Sequence, residues 1–369
     1  MEILLLSGEQ SGFKHLSQIA RVFKNRYENI TISAMGYLCE YIDNLVVDIG
    51  DKSEIGFAEI LRNIGFYIKS LAELKSYLRN NRPDIVISID NFEFNMLLLE
   101  DAFKFSKNLY YFIPPKVWAW GGFRINILKR YCKKVYTIFN FESDFLRKSG
   151  VNAEYIGNPF FSLYKDIRNR FDREERRMTV GLLPGSRQTE IRNHLPVILE
   201  TVKELRRSIK ETHFVLGCAD KVKDLIMEMT NGEDIEIADG IKPVIERSAV
   251  VIVASGTATF ETAICGIPMA IIYRTSPITY LLGRFLLKIK NIGLPNIIAK
   301  REIVPEFVQN KLKPERLSKF IIRILNEVRL YKNMRTELLK STDETITGEN
   351  YIYMNLVDDI TKDTGLLYE

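Results

Sequence analysis

The chain has 369 residues, 46% of them hydrophobic, and 52 basic against 47 acidic side chains leave a formal charge of +5. That length supports two domains with separate cores, while so small a charge, with no recognition motif beside it, gives no case for nucleic-acid binding. Four cysteines without close pairing exclude a disulfide framework, three scattered histidines exclude a histidine metal centre, and no run of 18 uncharged apolar residues offers a transmembrane helix.

Short apolar runs alternate with helical patterns along the whole chain. MEILLLSG, ENITISAMG, NLVVDIG, DIVISID, NLYYFIPP, KVYTIF and AEYIG are expected as strands of a first α/β unit. MTVGLLPG, THFVLG, DIEIAD, AVVIVASG and PMAIIYR are expected as strands of a second. The rhythm predicts two mostly parallel, Rossmann-like sheets with ligand sites at their C-terminal edges. Expected domains are residues 1–162 and 175–345, with YKDIRNRFDREERR as linker. A terminal segment, 346–369, is expected to close back over the first domain or a partner subunit.

The first strand leads into SGEQSGFKH. Gly8 and Gly12 permit a close loop, Ser11 is placed to cap the following helix, and Glu9 stands just past the strand end. The spacing is not that of a GxGxxG dinucleotide loop. Residues 57–78 have amphipathic helical spacing that suits packing on the sheet. In ISIDNFEF, Asp90 and Glu93 follow another strand, as a general base or as helix-capping acids. IPPKVWAWGG holds Trp118 and Trp120, both tryptophans of the chain, which form either an aromatic wall for a sugar or acyl chain or a local core. RINILKRYCKK carries five bases and no acid, as a solvated helix face or an anion-binding surface. The turn YIGNPF brings Gly157 and a hydrogen-bonding Asn158.

In the second half, LLPGSRQTEI ends a strand with a turn at Pro184 and Gly185. Ser186 is expected to cap the next helix, leaving open amides beside the Arg187 guanidinium, a suitable seat for a phosphate or carboxylate; the alternative is an arginine paired with a nearby acid. ASGTATFE supplies donors at Ser255, Gly256, Thr257 and Thr259 for a diphosphate, with Glu261 to accept from a ribose or sugar. No Walker-type lysine follows. ITYLLGRFLLKIKNIGLPN, 278–296, mixes apolar and basic residues, either to rest on a bilayer or acyl chain or to pack in a core or dimer. Without a basic leader and long apolar stretch after Met1, the expected residence is cytoplasmic.

GEQSG, SIDNFEF, PPKVWAW, IGNP, LLPGSRQTEI, ASGTATFE, LPNIIA and VPEFVQ, in this order along nearly the whole chain, resemble the lipid-A-disaccharide synthase family. The resemblance implies a GT-B fold, two Rossmann-like domains about a cleft, and inverting glycosyl transfer without cofactor or metal. It implies a donor, UDP-2,3-diacylglucosamine, and an acceptor, 2,3-diacylglucosamine 1-phosphate. By position in the motifs, Asp90 is the general base with Glu9 beside it, Arg187 stabilises departing UDP, and Gly185, Ser186, Ser255, Gly256, Thr257, Thr259, Glu261, Asn296 and Gln309 contact the nucleotide. Ser11, Gly12, Glu93, Trp118, Trp120 and Asn158 fall on the acceptor side. The acylated substrates and the apolar-basic 278–290 stretch together give the expectation of peripheral attachment to the cytoplasmic face of the inner membrane, and family members can associate through C-terminal elements, which makes a homodimer one expected state. Departures from its pattern stand at Phe13, Gly121, Asn158 and the SAMGYLCE turn. The alternatives are a UDP-sugar enzyme with another acceptor or with epimerase activity, and a glycolipid-binding envelope protein without catalysis.

Overall fold

A computed structural model describes residues 1–50, 64–169, 178–277, 280, 281, 290–343 and 352–365. The chain divides into two compact units, residues 1–158 with 347–369, and residues 159–346.

The first unit alternates β1 (Glu2–Leu6), α1 (Gln10–Arg26), β2 (Thr31–Gly36), β3 (Asn44–Asp48), α2 (Ile64–Asn81), β4 (Ile85–Ile89), α3 (Phe92–Phe105), β5 (Leu109–Phe112), α4 (Phe123–Tyr131), β6 (Lys134–Thr137), α5 (Asn140–Lys148) and β7 (Ala153–Tyr155). Its seven strands are parallel in the order β3-β2-β1-β4-β5-β6-β7. Every residue of β4 is buried, and so are the last four of β1. A parallel sheet covered on both faces requires this, which is why ILLL reads as an unbroken apolar run and IVISI as one interrupted only by the buried Ser88. A C-terminal helix, Ile352–Thr364, packs against α1 in this unit.

The second unit holds α6 (Pro159–Asn169), β8 (Thr179–Leu183), α7 (Gln188–Ser208), β9 (His213–Cys218), α8 (Lys223–Met229), β10 (Glu236–Asp239), α9 (Lys242–Arg247), β11 (Val250–Ala254), α10 (Thr257–Ile264), β12 (Met269–Tyr273), α11 (Leu294–Ile298), β13 (Glu306–Val308), α12 (Pro314–Asn326) and α13 (Val328–Asp343). Its sheet, also parallel, has the order β10-β9-β8-β11-β12-β13. Both sheets therefore reverse direction once, between β1 and β4 and between β8 and β11. Crevices for ligands open at such reversal points, beyond the C-terminal strand ends.

Three sequence expectations shift. The stretch expected as a linker is helical as far as Asn169, because Phe161, Tyr164 and Ile167 recur at helical spacing and are buried; residues 170–177 lie outside the described residues. Residues 57–63 of the expected amphipathic helix lie outside them as well, and so does most of the apolar-basic stretch, 278–279 and 282–289. Helix α1 starts two residues earlier than the serine cap requires: Glu9 is its extended N-cap residue and Ser11 is already inside the helix.

Candidate active site

In the first unit, the reversal point joins the turn after β1 to the turn after β4. Both turns are closely fitted. A side chain at Gly8 would stand 2.1 Å from Asn91 Nδ2, and one at Gly12 would meet Ser7 Oγ at 2.5 Å, so neither position admits a larger residue without movement. Asp90 and Asn91 both adopt left-handed backbone, with φ of +49° and +38°, and Ile113 after β5 does so at +59°. Such conformations cost of order 1–3 kcal/mol each in residues other than glycine and persist where the surroundings enforce them. The enforcement is visible: the Asp90 carbonyl accepts from the Tyr111 hydroxyl at 2.5 Å and from Asn95 Nδ2 at 2.9 Å, and its amide donates to the Phe112 carbonyl at 2.9 Å.

Burial raises the Asp90 carboxyl above its ordinary value; the Asn91 amide and Lys116 oppose that rise, and the Glu93 charge adds to it. A carboxylate held up in this way is a better proton acceptor near neutrality. Glu93 is exposed and pairs with Arg124 at 2.8 Å. The buried Arg124 guanidinium in turn lies 3.8 Å over the Trp120 ring. Trp118 is half-buried and donates from its indole to Glu142. Asn158 is buried, with its amide donating to the Ile138 carbonyl at 2.9 Å.

Two departures from the family pattern have local packing explanations. Phe13 stacks edge-on against Tyr37 at 5.0 Å and covers Gly36, where a side chain would stand 2.8 Å from its ring. The SAMGYL turn and Phe13 thus form one contact. At Gly121, φ is +72° and the space beyond its Cα is taken by Arg124, whose Nε would lie 3.1 Å from an added Cβ.

In the second unit, the turn after β8 differs from its sequence reading. Arg187, in extended backbone, is the N-cap residue of α7, in place of Ser186. The amides of Ser186 and Arg187, expected to be open, donate to the Glu190 carboxylate at 2.9 and 3.3 Å. Gly185, at φ +123°, lets that carboxylate approach: an added Cβ would stand 2.4 Å from it. The Arg187 side chain is three-quarters exposed and reaches Glu190 only at 4.0 Å. Behind the turn, buried His194 bonds to the Pro184 carbonyl through Nδ1 at 2.7 Å and to the Arg274 amide through Nε2 at 2.9 Å. A carbonyl only accepts and an amide only donates, so the ring is neutral with its proton on Nδ1. Burial also lowers its proton affinity.

At the end of β11, Ser255 Oγ donates to the Ile292 carbonyl at 2.8 Å, and Gly256 and Thr257 are exposed. The buried Thr259 hydroxyl donates to the Gly256 carbonyl at 2.7 Å. Glu261 is buried and accepts from the Tyr164 hydroxyl of α6. Asn296 is wholly buried: its oxygen accepts from the amides of Ile303 and Val304 at 2.7 and 3.0 Å, and its nitrogen donates to the Val304 carbonyl and to Glu306 at 2.9 and 2.8 Å. Gln309 pairs in both directions with the Thr275 backbone, at 3.1 Å each way.

The first unit thus brings Glu9, Gly12, Asp90 and Glu93 to the ends of β1 and β4, while the second brings Gly185, Ser186, Arg187, Ser255, Gly256 and Thr257 to the ends of β8 and β11. Thr259, Glu261, Asn296 and Gln309 are engaged by their own chain. Arg124, the first base of a stretch expected as a solvated face or an anion-binding surface, is instead buried and paired with Glu93. Sequence reasoning missed Glu142, Glu190's hold on the turn, and His194. For Glu142 a signal existed: FNFESDF surrounds that acid with three phenylalanines, a composition that buries it.

Two doubly wound units with polar residues gathered at each reversal point are the architecture of the GT-B class of sugar enzymes. The chain is similar in fold to UDP-GlcNAc 2-epimerase of Methanocaldococcus jannaschii, solved with UDP-GlcNAc and UDP, at TM-score 0.60 and 13% identity over 98% of this chain and 100% of that one. Similarity to MurG of Acinetobacter baumannii is comparable, with TM-score 0.59 and 12% identity over 98% and 99%. The family model for lipid-A-disaccharide synthetase matches residues 3–350. Lipid-A-disaccharide synthase of Geobacter sulfurreducens is 30% identical, over 94% of this chain and 93% of its own. Lipid-A-disaccharide synthase 1 of Legionella pneumophila, strain Paris, is 32% identical over 92% and 91%. The chain belongs to the lipid-A-disaccharide synthase family and is a glycosyltransferase of lipid A biosynthesis. Membership in that family does not favour the epimerase and non-catalytic alternatives.

Proposed function

We propose that the enzyme transfers 2,3-diacylglucosamine from UDP-2,3-diacylglucosamine to the 6-hydroxyl of 2,3-diacylglucosamine 1-phosphate, giving the β(1→6) disaccharide 1-phosphate and UDP. The first unit takes the acceptor and the second the nucleotide. Asp90 removes the hydroxyl proton as that oxygen attacks the anomeric carbon opposite UDP, which inverts the centre. Arg187, with backbone donors of the turn at Gly256, stabilises the diphosphate as the glycosidic bond to it breaks. These groups supply the charge stabilisation, so the reading requires no divalent cation.

The observation that carries this reading is Asp90: a carboxylate at a sheet reversal point, raised in proton affinity and fixed on strained backbone by Tyr111 and Asn95. Its test is incubation of purified protein with both acylated substrates and EDTA, followed by mass spectrometry. The expected products are UDP and the tetraacylated disaccharide phosphate, and Asp90→Asn is expected to lower the rate by roughly 10² to 10⁴-fold. Absence of disaccharide from folded wild-type protein rejects the reaction; full activity of Asp90→Asn transfers the base role to Glu9 or Glu93. The acylated substrates further support peripheral attachment to the cytoplasmic face of the inner membrane; among the described residues no helix is long and apolar enough to cross one.

A further inference from the structure

The loop after β5 carries Trp118, whose indole Nε1 donates to Glu142 Oε1 at 2.9 Å. Glu142 lies in the first turn of α5, where an acid ordinarily faces solvent and favours the positive end of the helix. Here its side chain is buried and reaches the tryptophan loop instead, and the neighbouring Phe141 packs edge-on against the same indole at 5.2 Å. Burying a carboxylate is unfavourable, so its hold on a single indole calls for a reason. The charged groups acting on it are Lys116, from the tryptophan loop, and Asp90, from the end of β4.

We propose that Glu142 is a positioning residue, whose carboxylate fixes the plane of the Trp118 indole so that the ring stands ready as a wall for the sugar of the acceptor. The inference rests on the reading of the first unit as the acceptor side. A sugar packs its C–H face on an aromatic ring most tightly when the ring is already immobilised, since no rotamer freedom is then lost on binding. The indole bond is charge-assisted only while Glu142 is ionised. Burial, opposed by Trp118 and Lys116 and reinforced by Asp90, pushes its carboxyl from 4.5 up to about 7. The wall is therefore firm above that pH and looser below it.

The chain has two tryptophans, so Trp120→Phe leaves Trp118 as the sole indole emitter. The emission of that protein is expected to titrate with a midpoint near pH 7. Adding Glu142→Gln keeps an oxygen for the indole but removes the ionisation, and is expected to abolish the transition. No transition in the parent, or its persistence after Glu142→Gln, overturns the couple, and neither result depends on sugar chemistry. In the transfer assay, Glu142→Leu and Trp118→Phe are each expected to raise the acceptor KM about tenfold with the donor KM unchanged, and the double variant to do no more than either alone. Equal effects on both substrates, or additive ones, overturn the wall. Failure of wild-type protein to make disaccharide removes the acceptor reading and the wall with it, while the emission titration still decides the Glu142–Trp118 couple.

Discussion

Asn296 shows what one side chain does when all its hydrogen-bonding capacity turns inward. It closes the segment 303–306 onto α11 with four bonds and has no exposure. Asn296→Ala leaves the Ile303 and Val304 amides and the Val304 carbonyl without this partner, at about 1–3 kcal/mol for each unsatisfied group. The expected loss of stability is about 3 kcal/mol, read from denaturant unfolding; a loss below about 1 kcal/mol contradicts the network. The sequence marks Asn296 only by its place in a motif, as a nucleotide contact, but its partners lie seven to ten positions away and meet it only after the chain has folded over. Glu190 was legible as a first-turn acid in the same limited sense. That its carboxylate takes the Ser186 and Arg187 amides depends on how closely Gly185 lets the backbone pass.

The C-terminal helix, Ile352–Thr364, is fastened to the first unit through polar groups of the sheet and of α1. Tyr110 donates to Asp363 and Tyr136 to Asp359, each at 2.6 Å, while Lys134 pairs with Asp359 at 2.7 Å and His15 Nδ1 meets the Tyr353 hydroxyl at 2.8 Å. Burial first, and Lys14 second, pull the His15 proton affinity from 6.5 down to about 4. A depressed folded value means that the neutral ring's contribution is fully present above 6.5 and is lost as pH falls toward 4. Asp363 acts at lower pH: burial pushes its carboxyl up, but Tyr110 and Lys133 outweigh it and hold it below 3.8, so its contribution is lost only beneath that value. Hydrogen exchange of the helix amides, corrected for intrinsic rates, is therefore expected to accelerate about tenfold between pH 7 and pH 4. Protection unchanged across that range excludes His15 as a determinant of docking. At this scale the sequence was most readable where strands are apolar throughout. It failed at β13, three half-buried residues opening with an acid, and at α6, where a charged run concealed the spacing of Phe161, Tyr164 and Ile167.

For the molecule as a whole, the βα rhythm was enough to read two parallel sheets. The strand order was not readable, because right-handed crossovers fix the hand of each connection but not the edge to which the chain returns. Membrane attachment is a property of the whole enzyme, and its acylated substrates motivate the expectation. With the 278–290 stretch as anchor, Leu286→Asp or Leu287→Asp is expected to lower the membrane-bound fraction several-fold on cell fractionation without loss of folding; an unchanged fraction in both removes that stretch from the role. The division of the chain has a separate consequence. Residues 159–346 are contiguous, whereas the first unit is built from both ends of the sequence. During synthesis on the ribosome, which adds about 5–20 residues per second, the second unit has all its parts while Tyr110 and Tyr136 still lack Asp363 and Asp359. The half whose synthesis starts first is thus the half completed last, and a released chain cut near residue 346 has every residue of the second unit but leaves Tyr110 and Tyr136 of the first without their carboxylates.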